Sequence, residues 1–166
     1  GQDPRIEIII ENGVLIMHNA TLYDPAGMSG CWYGIRFKVG TSGHIEQSLI
    51  KDAVVAIHAQ NALVQVINNQ ITNLFGPSGA FPGGAGMDAI GIELEGVATT
   101  GSVVHGNIIS VIVGGSGAPG ANGANASIPG MPGFPGSPGG NAGSGMGIFV
   151  RGGPHIIAAM NEILNI

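Results

Sequence analysis

Apolar and polar residues alternate in short runs along this chain. Gly34-Ile35-Arg36-Phe37-Lys38, Ala56-Ile57-His58-Ala59-Gln60, Gly91-Ile92-Glu93-Leu94-Glu95 and Gly147-Ile148-Phe149-Val150-Arg151 all follow one pattern. Each puts aliphatic side chains on one face and polar ones on the other, the period-two pattern of a half-buried strand. A second signal follows each run, an amide residue two places before an aliphatic one: Gln47-Ser48-Leu49, Asn69-Gln70-Ile71, Asn107-Ile108-Ile109 and Asn161-Glu162-Ile163. The separations between the leading and closing aliphatic residues are 14, 14, 17 and 15. An earlier segment, Glu7-Ile8-Ile9-Ile10-Glu11 followed by Ala20-Thr21-Leu22, fits the same frame and brings the candidate coils to five.

From Ile35 to Ile57 is 22 residues, whereas Ile57 to Ile92 is 35 and Ile92 to Ile148 is 56. The surpluses match Gly/Pro-rich stretches, so the bare repeat is about 22 residues. Period-two strands at that spacing cannot form a helical repeat, and no single repeat has anything to bury its apolar face against. Stacking solves this: Ile35, Ile57, Ile92 and Ile148 would lie above one another inside, as would Phe37, Ala59, Leu94 and Val150. Asn69, Asn107 and Asn161 are expected at a turn position, where a left-handed backbone is tolerated and stacked amides bond one another.

The Gly-Ile pairs at 34, 91 and 147 and the Asn-x-Ile triplets at 69, 107 and 161 resemble the repeat of the right-handed parallel β-helix family, the pectate-lyase-like solenoids. The resemblance covers most of the chain outside the loops and implies an all-β fold, a right-handed parallel β-helix of about five coils of about 22 residues. Gln47 in place of Asn, Ala56 in place of Gly and the irregular first coil depart from the pattern. Enzymes of that family cleave polysaccharides with clustered carboxylates, an Arg or Lys base, or calcium, which makes a carbohydrate-active or carbohydrate-binding module one reading of this chain.

Residues 24–32, 76–88 and 114–146 fall between a closing strand and the next opening one, so they are expected to leave the solenoid at one corner. In the longest, glycines recur every third residue, at Gly117, Gly120 and Gly123 and again at Gly130, Gly133, Gly136 and Gly139. Pro119, Pro132, Pro135 and Pro138 stand beside them, the signature of polyproline-II or polyglycine-II segments. This layer is expected to pack back on the solenoid through Ile128, Met131 and Phe134, or between neighbouring subunits.

The chain has 166 residues, enough for one domain with a real core. Only 9% are charged while Gly (31) and Pro (10) are abundant, and the net charge of -5 without a basic run leaves nucleic acid no electrostatic footprint. The longest apolar stretch, Ile6 to Met17, is broken by Glu7, Glu11, Asn12 and Gly13, so no membrane insertion is expected. One cysteine, Cys31, precludes an internal disulfide framework. The start Gly-Gln-Asp-Pro suggests a processed protein or an excised piece.

Candidate chemistry is sparse. Stacking would align Arg36, His58, Glu93 and Phe149 in one outward row and Lys38, Gln60, Glu95 and Arg151 in the next. Glu93 and Glu95 could share a cation or act as a carboxylate pair, but a solvated charge ladder with Glu95 facing Arg151 is the simpler reading. The five histidines show no metal-ligand spacing in the linear sequence, so no metal, cofactor or catalytic residue is assigned. Sequons at Asn19 and Asn125 mark candidate glycosylation sites.

Both extremities read as bare strands, Ile6, Ile8, Ile9 and Ile10 at one and Ile163, Leu164 and Ile166 at the other. Unpaired ends on a solenoid favour a heterologous head-to-tail contact that does not close. The expectation is therefore a non-enzymatic extracellular or cell-surface protein that polymerises with itself into a filament or surface layer. The alternative is a glycan-binding or polysaccharide-degrading module, or a fragment of a longer one, using Arg36, His58, Glu93 and Glu95 with Trp32 and Tyr33 as sugar platforms.

Overall fold

The computed structural model describes residues 6–24, 32–96, 101–124, 133–152 and 155–166. Cys31, Asn125, Ile128 and Met131 lie outside them. Strands β1 (Ile6–Ile10), β2 (Val14–His18) and β3 (Thr21–Leu22) are followed by β4 (Trp32–Phe37), β5 (Ser42–Glu46) and β6 (Leu49–Lys51). Next come β7 (Val55–Gln60), β8 (Leu63–Ile67) and β9 (Gln70–Phe75), then β10 (Ala89–Glu95), β11 (Val103–His105) and β12 (Ile108–Val113). The last are β13 (Gly145–Arg151), β14 (Ile157–Ala159) and β15 (Glu162–Leu164). No helix occurs among the described residues.

Each sheet takes every third strand. Three parallel five-stranded sheets result, ordered β1-β4-β7-β10-β13, β2-β5-β8-β11-β14 and β3-β6-β9-β12-β15, a topology compatible with a parallel β-solenoid. Two of the three strands in each repeat are those the alternation marks; the middle sheet is the one it misses. Val14–His18 and Ser42–Glu46 there carry His or Gly among their apolar residues, which blurs the period.

The expected aliphatic columns are present. Ile8, Ile35, Ile57, Ile92 and Ile148 are register partners in succession, as are Ile10, Phe37, Ala59, Leu94 and Val150. Ile35, Ile57, Ile92, Phe37 and Leu94 are fully buried. Phe37 needs extra room, which Ala59 beside it and Gly43 on the next sheet provide; a Cβ at Gly43 would come within 3.0 Å of the Phe37 ring.

The turn between the second and third sheets differs from expectation by one residue. Left-handed φ falls on Asn19, Gln47, Asn68, Gly106 and Met160, one place before the asparagines expected there. Asn69, Asn107 and Asn161 instead turn inward and form an amide ladder. Asn69 Nδ2 donates to Asn107 Oδ1 (3.0 Å) and Asn107 Nδ2 to Asn161 Oδ1 (2.9 Å). Each amide also caps a strand carbonyl, on Ile45, Val66 and Val104 respectively. Ser48, not Gln47, continues the ladder, donating its backbone N–H to Asn69 Oδ1 at 2.9 Å.

A further left-handed column sits in the third sheet at Asp52, Asn73, Val111 and Asn165. Val111 is the misfit, since a β-branched residue crowds its own carbonyl there. Val111→Asn, which matches Asn73 and Asn165, should raise stability by about 1 kcal/mol, read as a higher urea midpoint with unchanged slope.

Residues 76–88 and, of the longer glycine-rich stretch, 114–124 and 133–144 lie between strands of the third sheet and the first and pack chiefly on each other. Backbone N–H groups of Phe134, Ser137, Gly140 and Gly143 donate to the carbonyls of Ala124, Ala121, Ala118 and Gly115. Those of Gly115 and Ala118 donate in turn to Met87 and Gly84, and those of Gly76 and Gly79 to Val113 and Ser116. Bonds every third residue match the glycine rhythm and the three-residue turn of a polyglycine-II helix. Phe134 is 73% exposed and anchors nothing, because backbone-to-backbone bonding holds this layer without it.

Candidate functional site

Parallel register brings together residues far apart in sequence on the outer face of the first sheet. Ile9, Arg36, His58, Glu93 and Phe149 form one row, as the repeat predicts. The neighbouring row includes Gln60, Glu95 and Arg151. Glu93 is buried and accepts a hydrogen bond from Arg151 Nη2, while Arg151 Nε stands 3.7 Å from Glu95. His58 Nε2 lies 3.5 Å from Glu95 and 3.8 Å from Glu93 and makes no hydrogen bond. The Arg151 guanidinium also lies over the Phe149 ring, 5.5 Å from its centroid.

His58, Glu93 and Glu95 offer ligand atoms within 4.8 Å of one another, a spacing a divalent cation could bridge. Linear spacing could not reveal this group: 35 residues separate His58 from Glu93, and only stacking of β7 on β10 closes the gap. Arg151 competes for both carboxylates, so the same geometry also reads as a self-satisfied ion-pair network. Stacking produces two further charge clusters. Lys38 pairs with Glu11 at 2.5 Å, holding the Glu11 carboxyl below its usual pKa through that hydrogen bond and the lysine charge. On the second sheet, hydrogen bonds to Gln65 and then Glu46 hold His44 above its usual value.

Beside the first cluster runs an open groove of about 380 Å³, lined by Tyr33, Met87, Asp88, Glu93, Phe149 and Arg151 among others. The glycine-rich layer forms its far wall, pinned where the Ser144 N–H donates to Asp88 at 2.7 Å. Tyr33 is half-buried, its hydroxyl 3.7 Å from Met87 Sδ. Trp32 is only 5% exposed and packs in the core, so it is not the surface platform for a sugar that the alternative carbohydrate reading needs. Arg36 stands 3.7 Å from Glu7, away from the groove lining. Asn19 is exposed at its left-handed turn.

At the extremities, Ile6, Ile8, Ile9, Ile163, Leu164 and Ile166 are exposed, and Ile10 is half-buried against the core. The outer edges of β1, β2 and β3, and of β13, β14 and β15, have no partner strand among the described residues. No family model, curated protein or solved structure matches the chain. The class is therefore set by architecture alone: an all-β protein of stacked parallel sheets.

Proposed function

We propose that the chain is a right-handed parallel β-helix of five coils that serves as an extracellular structural subunit, stacking end to end into a filament or surface layer. The observation that carries this reading is that the first and last strand sets have no partner along their outer edges among the described residues and are lined with exposed isoleucine and leucine. Such edges recruit further strands. The hydrogen-bonded glycine-rich layer adds bulk along one side, with few charges to carry chemistry.

Negative-stain imaging of the pure protein across a concentration series tests it: long thin filaments are expected. Ile8→Asp with Ile10→Asp should abolish them by placing unpaired charges at the end of the inward columns that the junction continues, with circular dichroism checking that the sheets stay folded. Unchanged filaments would defeat the junction. A compact monomer that binds acidic glycans in the Tyr33, Phe149 and Arg151 groove would favour the carbohydrate-module reading instead.

A further inference from the structure

The outward rows carry information about what meets each extremity. On the first sheet the row that is Arg36, His58 and Glu93 in the middle begins at Ile9 and ends at Phe149. On the second sheet a row runs Ile16, His44, Gln65, Val103 and Ile157, and its end residues Ile16 and Ile157 are 73% and 61% exposed. Apolar residues thus stand at both ends of rows whose interiors carry polar groups. Charge follows a matching rule: Glu11 pairs with Lys38 at one extremity, and Arg151 flanks Glu95 at the other.

We infer that a second copy of this chain docks by continuing the register of the stack, β1–β3 of one copy on β13–β15 of the other, so that Arg151 faces Glu11, Phe149 faces Ile9 and Ile157 faces Ile16. This rests on the end-to-end reading above and adds to it a polarity and a register. A simple translation along the stack keeps every sheet parallel. A two-fold head-to-head contact would make the new pairs antiparallel and bring like ends, and like charges, together. A slip by one residue would turn the inward aliphatic side chains of the incoming strands outward, and a slip by two would set Phe149 against Glu7 or Glu11 in place of Ile9. Ile148 over Ile8 extends the buried isoleucine column across the junction, while the Arg151–Glu11 contact restores the alternation of sign.

The test is a directed cross-link in the full chain with Cys31→Ser as parent. Ile9→Cys and Phe149→Cys in one protein put the two Cα atoms about 5 Å apart across the inferred junction, within disulfide reach. Ile9→Cys with Arg151→Cys represents a two-residue slip, with Cα atoms about 8 Å apart and beyond that reach. Mild oxidation of the assembled protein should yield a covalent ladder of multimers from the first pair and monomers from the second. A ladder from the slipped pair, covalent dimers from Ile9→Cys alone, or filaments that never cross-link would overturn the register while leaving end-to-end assembly intact. A first pair that stays monomeric beside a polymerising parent counts the same way, since both substitutions keep the contact apolar. A parent that remains monomeric at every concentration overturns both.

Discussion

Asn107→Leu should lower the stability of the folded chain by about 3 to 5 kcal/mol, because several buried bonds converge on that one amide. Its Oδ1 accepts from the Asn69 backbone N–H and from Asn69 Nδ2, both at 3.0 Å, and its Nδ2 donates to Val66 (2.8 Å) and Asn161 (2.9 Å). Leucine fills the volume but satisfies none of these groups, and Asn107 is fully buried, so water cannot substitute. Asn161→Leu, at the half-buried end of the ladder, should cost about half as much, since solvent reaches its surroundings. Urea unfolding of the two variants measures the difference; equal losses would show that the ladder is not the source of the stability.

Gly140→Ala should open the glycine-rich layer without unfolding the sheets. A Cβ there would lie less than 3.0 Å from the Gly84 carbonyl oxygen, and the obstacle is backbone, which cannot swing aside. Gly117, Gly120, Gly123 and Gly143 meet the same obstruction. Separating these segments to ordinary contact breaks the bond from Gly86 to the Asn141 carbonyl (2.8 Å) and loosens those from Gly140 to Ala118 (2.8 Å) and from Gly143 to Gly115 (2.7 Å). Amide exchange at Ala118, Gly140 and Gly143 should accelerate by roughly 100-fold while Ile57 and Ile92 keep their protection. Asn122→Ala, at an exposed position of the same stretch, should change neither. Uniform acceleration in the core would mean that the layer and the sheets unfold as one unit.

Much of the architecture was legible because stacking repeats the same physical demand in every turn of chain. An aliphatic residue at Ile35, Ile57, Ile92 and Ile148 satisfies one interior position four times over, so the repetition itself marks the column. The same holds for Asn69, Asn107 and Asn161, whose spacing announced stacked amides. The left-handed turn was placed one residue late because the chain uses Gln47, Asn68, Gly106 and Met160 there, four residue types without a common signature. The middle strands escaped notice for a related reason: His44 and Gln65 point outward and Gly43 yields space to Phe37, so no clean alternation survives.

The grouping of His58, Glu93, Glu95 and Arg151 was half visible. The outward rows follow from the repeat once the strands are aligned, but distances do not. Whether His58 reaches both carboxylates, and whether Arg151 closes on Glu93 or Glu95, depends on how the 92 residues between His58 and Arg151 fold into strands and loops. Phe134 and Trp32 show the same limit from opposite sides. A large apolar residue in a glycine-rich loop is left in solvent because hydrogen bonds already hold its backbone, and an aromatic that the carbohydrate reading would place at the surface is drawn into the core by the start of β4.

By itself the sequence determined the parallel stacking, its interior columns and the three-residue rhythm of the glycine-rich stretches, because periodicity is a local property that survives in one dimension. Only the tertiary structure decided that those stretches bond to one another and that a histidine and two carboxylates come within ligand distance beside a groove. These depend on contacts between residues tens of positions apart, which no window of sequence contains.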